Sequence, residues 1–346
     1  MPKDPEQLVV ESLAALDRRE LETALKLADE AIAIDPDLSM AHRCRAAALA
    51  DLDRLDEAEQ EYRVSLEADP DDAELLLDVA EFLVSLRGDD LDAVEEGLDL
   101  AGRGREIAEA DDDEELVSEL ALIEGMALNS LGDPSGALEA LETAFSDDRR
   151  ADVLCEQGHA YFELLRLPEA QAALEKSLAL SPDDPWTNHL LGLVFERTGE
   201  QGAAEKHLRR ARQLMPESFP DPVGLTAAEF DGAIREAVEQ LPDDIRGHVT
   251  ETLVSVKPLP DDHDLREADE GHPLSPTIVG LFRGPSLRER TGNGELPPQI
   301  FLFQKNLERT CATREELVEQ IRVTVLHEVG HLLGLTDEEL EERGLE

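Results

Sequence analysis

Two histidines, His327 and His331, stand four residues apart, and Glu328 directly follows the first. On a helix that spacing sets both imidazoles on one face, about 6 Å apart along the axis, so they can converge on one ion. Zinc accepts such nitrogen ligands readily. Glu328 is turned by one residue, where its carboxylate reaches a water beside the ion rather than the ion itself, which is the place of a general base. Three residues past His331, Gly334 can take the left-handed conformation that ends a helix and turns the chain. The turn returns Asp337 as a third, oxygen ligand and leaves a fourth position open, as a catalytic site requires. A structural zinc is disfavoured because no fourth cysteine or histidine is at hand. The His-Glu-x-x-His string arises by chance in about 3% of chains with this histidine content, and requiring Gly334 and Asp337 as well makes coincidence rarer. Metal-assisted hydrolysis is the chemistry these residues predict, with His327, His331 and Asp337 on Zn2+ and Glu328 as the base.

Such a clamp needs a long, anchored helix. Thr313 and Glu316 have the spacing of a capping box, and Leu317, Ile321, Val325, Leu326, Val329, Leu332 and Leu333 give a broad apolar face, so a helix is predicted over residues 314–333. A second capping box, Thr226 with Glu229, opens another amphipathic helix over 227–240. Residues 253–256, 277–282 and 300–303 are short, β-rich runs separated by Gly/Pro-laden stretches, which predicts a small sheet. The acidic stretch 261–276 reads as an exposed loop. The strand at 300–303 has two readings: an edge offered to an extended substrate, or an inner strand of the sheet. His272, Arg283 and Asn306 are candidates on position alone for stabilising an oxyanion.

These features resemble the zincin metalloproteases in the extended HExxHxxGxxD form. The match is closer to the small bacterial zincin-like metallopeptidase family, with a proline-containing strand entry (LPPQIFLF) and the TVLHEVGHLLGLTD helix, and spans about residues 225–343. The resemblance implies His327, His331 and Asp337 as zinc ligands and Glu328 as the base. Asp337 stands where typical metzincins have a third histidine, and Glu338 and Glu341 are alternatives to it.

The preceding two thirds repeat. Pro36, Pro70, Pro182 and Pro216 close similar helical patterns, 34 residues apart within each pair. Ser12 with Ala24, Ala46 with Ala58, Gly125 with Ala137, Gly158 with Ala170, and Gly192 with Ala204 recur in phase, and a stretched unit fills residues 73–117. Small residues at a helix crossing let two backbones approach, and larger neighbours fill the groove beside it. One such pair cannot bury its own face, but stacked pairs share a core, so about six are predicted over residues 5–218. The pattern resembles the tetratricopeptide repeat (TPR) family. That resemblance implies a right-handed superhelix whose inner surface grips an extended peptide or a partner helix, with Glu119, Asn129, His159, Trp186 and His189 towards it. The expected architecture is thus an all-α TPR solenoid over 1–218 and a small α+β zincin-like domain over 219–346, the break marked by Pro220, Pro222 and Gly224.

Composition limits the partners. Against 81 Asp and Glu the chain has only 32 Lys and Arg, a formal net charge of −49. The phosphate-neutralising surface that nucleic acids and anionic membranes require is missing, whereas basic or neutral polypeptides are favoured. Neither a signal sequence nor an apolar run long enough to span a membrane is read, so a cytoplasmic protein is expected. The three cysteines, widely separated and odd in number, fit reduced thiols. The composite expectation is a zinc peptidase that recruits a polypeptide substrate or protein partner through its repeats. The alternative is a non-catalytic adaptor whose zincin-like domain binds zinc structurally or is inactive.

Overall fold

A computed structural model describes residues 4–144, 150–241, 245–247, 249, 253–266, 273–286, 298–336 and 339–340. The chain forms two compact units, residues 1–160 and 161–346.

The first unit holds α1 (Pro5–Asp17), α2 (Leu21–Ile34), α3 (Ser39–Asp51), α4 (Leu55–Ala68), α5 (Ala73–Leu86), α6 (Leu91–Ala110), α7 (Glu114–Ser130), α8 (Pro134–Thr143) and most of α9 (Ala151–Glu163). Successive helices pack as antiparallel neighbours, and the small residues of the repeat sit at their crossings. Ala24, Ala46, Ala58 and Ala137 are fully buried, and the Ser12 hydroxyl donates to the Ala24 carbonyl at 2.8 Å. A Cβ on Gly125 would stand 2.5 Å from Leu141 Cγ, so glycine is what lets α7 and α8 approach. The stretched unit is α5 with the 20-residue α6, where Gly97 and Gly104 face Val84 and Leu120. Asp caps with side chains on backbone N–H groups start α1, α5, α6, α7 and α8.

The second unit begins with α10 (Leu167–Leu180), α11 (Pro185–Thr198) and α12 (Gln201–Leu214), the last elements of the repeat pattern. Gly192 again meets Leu208 where α11 crosses α12. There follow α13 (Ala227–Glu239), β1 (Leu253–Lys257), α14 (Asp262–Arg266), β2 (Gly280–Arg283), β3 (Gln299–Phe303), α15 (Gln304–Arg309) and α16 (Arg314–Leu333). The sheet order is β1-β3-β2, with β1 parallel and β2 antiparallel to β3. Among the described residues the strand at 300–303 is therefore the inner one, and β2 is an outer strand.

Both predicted capping boxes are present, at Thr226/Glu229 and Thr313/Glu316. Ile300 and Leu302 point to one face of the sheet, where they share a core with Phe230, Ala233 and Ala237 of α13 and with Leu317, Ile321, Val325 and Val329 of α16. Phe301 faces the other way. Lys257 and Arg283 lie over its ring, 4.7 and 5.6 Å from the centroid. The expected loop over 261–276 is partly structured instead: α14 buries Leu265 and Asp264, whose carboxylate accepts from Lys257 Nζ at 2.7 Å and from the Asp261 N–H at 2.9 Å. A buried carboxylate is tolerated there because a cation and a backbone donor meet it.

Two neighbouring residues of α11 reach into this later part of the unit. Glu196 accepts from Lys305 Nζ at 2.8 Å and Arg309 Nη2 at 2.6 Å, and Arg197 donates to the Pro260 carbonyl at 3.0 Å. Burial alone would push the Glu196 carboxyl pKa up, but the attraction of Arg309 and the Lys305 hydrogen bond outweigh it and hold it below the ordinary value. Among the described residues no helix is long and apolar enough to cross a membrane.

Candidate metal centre

The helix α16 brings the two histidines together. Its start is fixed by the capping box and its apolar side by the core, so the opposite side is held in register over 20 residues. His327 and His331 are half-buried there. Their Nε2 atoms stand 3.1 Å apart, with the rings nearly perpendicular at 82°. Two nitrogens on one tetrahedral zinc, each at about 2.0–2.1 Å, are about 3.3 Å apart, so the pair fits one ion with almost no movement. His331 Nδ1 lies 3.1 Å from the Leu335 carbonyl. A carbonyl only accepts, so Nδ1 carries the proton and Nε2 presents its lone pair, the tautomer a metal ligand needs.

That carbonyl is placed by the end of the helix. Gly334 takes φ +85°, and its N–H and that of Leu335 bond back to His331 and Gly330. Beyond it Thr336 and Glu339 exchange capping bonds at 3.1 and 3.2 Å. Leu340 is fully buried against Gly330, where any Cβ would collide with its side chain. Asp337, the predicted third ligand, and its alternatives Glu338 and Glu341 lie outside the described residues. Among the described residues no group of three His, Cys, Asp or Glu forms a metal cluster.

Glu328, 6% exposed, sits beneath β2. A Cβ on Gly280 would come within 2.6 Å of Glu328 Oε1 and 2.5 Å of Thr324 Cγ2, so glycine at this point of the strand makes room for the carboxylate. The signal in the sequence was a lone glycine inside a β-rich run. The capping pattern Thr336-x-x-Glu339 is equally legible in the sequence.

The oxyanion candidates fare differently. Asn306 is buried and donates to the Pro276 and Ile278 carbonyls at 3.1 and 2.8 Å, which spends its amide on anchoring a turn. Arg283 lies on the Phe301 face, across the sheet from α16, with Asp264 at 3.4 Å. His272 lies outside the described residues. Of the residues expected on the inner surface of the repeats, Asn129 is buried and donates to Glu156, while Glu119 pairs with Arg150. His159 stands 3.8 Å from the Glu156 carboxylate. His189 stacks on Phe219, and Trp186 remains 52% exposed.

The family model described as zincin-like metallopeptidase matches residues 249–345, and that of the tetratricopeptide repeat matches residues 10–73, 122–185 and 155–219. Solved structures similar to the chain include PilF of Pseudomonas aeruginosa at 18% identity and a TM-score of 0.50, covering 66% of this chain and 96% of that one. PilW, a type IV pilus biogenesis factor, gives 18% identity and a TM-score of 0.52, covering 62% and 94%. The Cut9–Hcn1 hetero-tetramer of the APC/C gives 18% and 0.52 over 62% of this chain, but only 41% of that one is spanned. At such identities the likeness shows the fold alone. No curated protein gives a significant match. With the repeats matched over most of the first two thirds and the histidine pair inside the zincin-like match, the chain carries tetratricopeptide repeats followed by a zincin-like metallopeptidase domain.

Proposed function

We propose that this chain is a zinc-dependent peptidase whose repeats recruit the polypeptide that it cleaves. The observation that carries the reading is the His327–His331 pair, with Nε2 atoms 3.1 Å apart and a neighbouring buried carboxylate on the same helix. His327 and His331 would hold the ion together with Asp337. When bound, zinc would supply Lewis acidity to a scissile carbonyl and to water. Glu328 takes the proton of the attacking water and delivers it to the leaving amine. Its burial under β2 shields the carboxylate from bulk water. An extended substrate paired to the outer strand β2 would run past Gly280 and hence past Glu328. The repeats contribute binding, in keeping with their family, and the reading places the enzyme in the cytoplasm, where its three buried cysteines stay reduced.

The test is metal content measured beside digestion of a peptide library, for wild type and Glu328→Ala. The expected result is zinc in both proteins and turnover lowered about 10²–10⁴-fold in the variant. Zinc in both with cleavage in neither would favour the adaptor, in which the repeats hold the function.

A further inference from the structure

A cavity of the second unit, about 1050 Å³, is bordered by α11, α12, the segment 216–222, α15 and the start of α16. Its volume is that of several peptide residues rather than of a small metabolite. One wall is apolar: Leu193 and Leu208 lie behind Trp186 and Phe219, whose rings meet edge to face at 4.8 Å. Trp186 is the only tryptophan of the chain, and half of it faces solvent. A large indole left open in a concave wall is the usual anchor of an interface rather than packing.

The rest of the lining is net acidic, with five glutamates against three cations. Its three strong cations are already engaged, Lys305 and Arg309 by Glu196 and Arg212 by Asp221 at 3.0 Å. Among the described residues Glu308 accepts only from the neutral Leu225 N–H and Gln304 amide, and Glu316 is met by the backbone N–H groups of Ala312 and Thr313. Glu217 has no basic side chain paired with it among the described residues. An indole face beside three carboxylates with no counter-cation among the described residues suits arginine and lysine, which stack their heads on an aromatic ring and ion-pair at its rim.

We propose that this groove docks a basic, extended segment of the substrate polypeptide, so that recognition rests on arginine and lysine side chains held between Trp186 and Glu217, Glu308 and Glu316. The proposal deepens the peptidase reading and depends on it for the word substrate, but binding can be measured without turnover. The full chain carrying Glu328→Gln is titrated with a decapeptide alternating arginine and leucine while the emission of its single tryptophan is followed. A saturable blue shift is expected, absent with the decapeptide that has glutamate in place of arginine.

With the basic peptide labelled and binding read by polarisation, Trp186→Ala and Glu217→Lys are each expected to weaken affinity at least tenfold. Glu95→Lys, the same charge change at an exposed position in the first unit, should not. Equal loss in Glu217→Lys and Glu95→Lys would reveal diffuse attraction to an acidic chain and overturn the proposal, as would an unmoved tryptophan emission. Either result leaves the peptidase reading standing. Tight binding to the groove with no cleavage by wild type would instead sink the peptidase reading alone.

Discussion

Glycines decide how close the candidate site can be built. At Gly280 the missing side chain is the space occupied by Glu328, so Gly280→Ala must displace either the strand or the carboxylate. A loss of about 1–3 kcal/mol of stability is expected from such overpacking, with a larger fractional loss of turnover than of zinc, measurable by denaturation, metal content and digestion of the same variant. Gly330 serves the other half. Gly330→Ala collides with Leu340 and should loosen the chain that returns after Gly334. Competition with a chelator is then expected to show weaker zinc retention while His327 and His331 are unchanged, and Leu340→Ala should show the same direction more mildly. If neither variant alters retention, the return segment does not contribute a ligand. Both glycines were visible as residues, but their importance lies in who stands opposite, and that partner is 48 residues away in the first case and 10 in the second.

Among elements, those written in local chemistry were legible. The helix predicted over residues 314–333 is α16 to the residue, because a capping box marks its start and a left-handed glycine its end. The helix expected over 227–240 is α13, one residue shorter, its start marked by the other capping box. Thr313→Ala should therefore cost about 1 kcal/mol of stability, read as a lower midpoint in urea, without changing the His327–His331 spacing. Strand order was not legible. Three short apolar runs are compatible with any arrangement, and only the structure puts β3 between β1 and β2 and leaves the outer position beside Glu328 to β2. The run 277–282 yields a strand only from Gly280, since the carbonyls of Pro276 and Ile278 are taken by Asn306. The same non-local pairing removed Asn306 and Arg283 from oxyanion duty: a polar side chain announces what it can bond, not which partner it will find.

For the whole molecule, charge governs stability. Because Glu196 is held below its ordinary carboxylate value in the fold, its contribution is present above the unfolded pKa of about 4.5 and is lost as pH falls through the lower folded value. Acid titration of wild type and Glu196→Gln should show the variant less stable at neutral pH, with the gap closing below pH about 4.5. A net charge of −49 adds repulsion that salt screens, so the melting temperature should rise between about 0.05 and 0.5 M salt. An unchanged midpoint would mean that the ion pairs lose as much as the repulsion.

Glu196 and Arg197 also bear on how this protein can be dissected. Adjacent on one helix, they engage α15 and the Pro260 carbonyl, so a fragment starting at residue 219 would strip Lys305 and Arg309 of their shared carboxylate. Cloning from just ahead of α10 retains that counterpart. The shorter piece should express poorly and fail to hold a discrete fold, and the final repeats would then have to be inherited together with the zincin-like domain in any chimera.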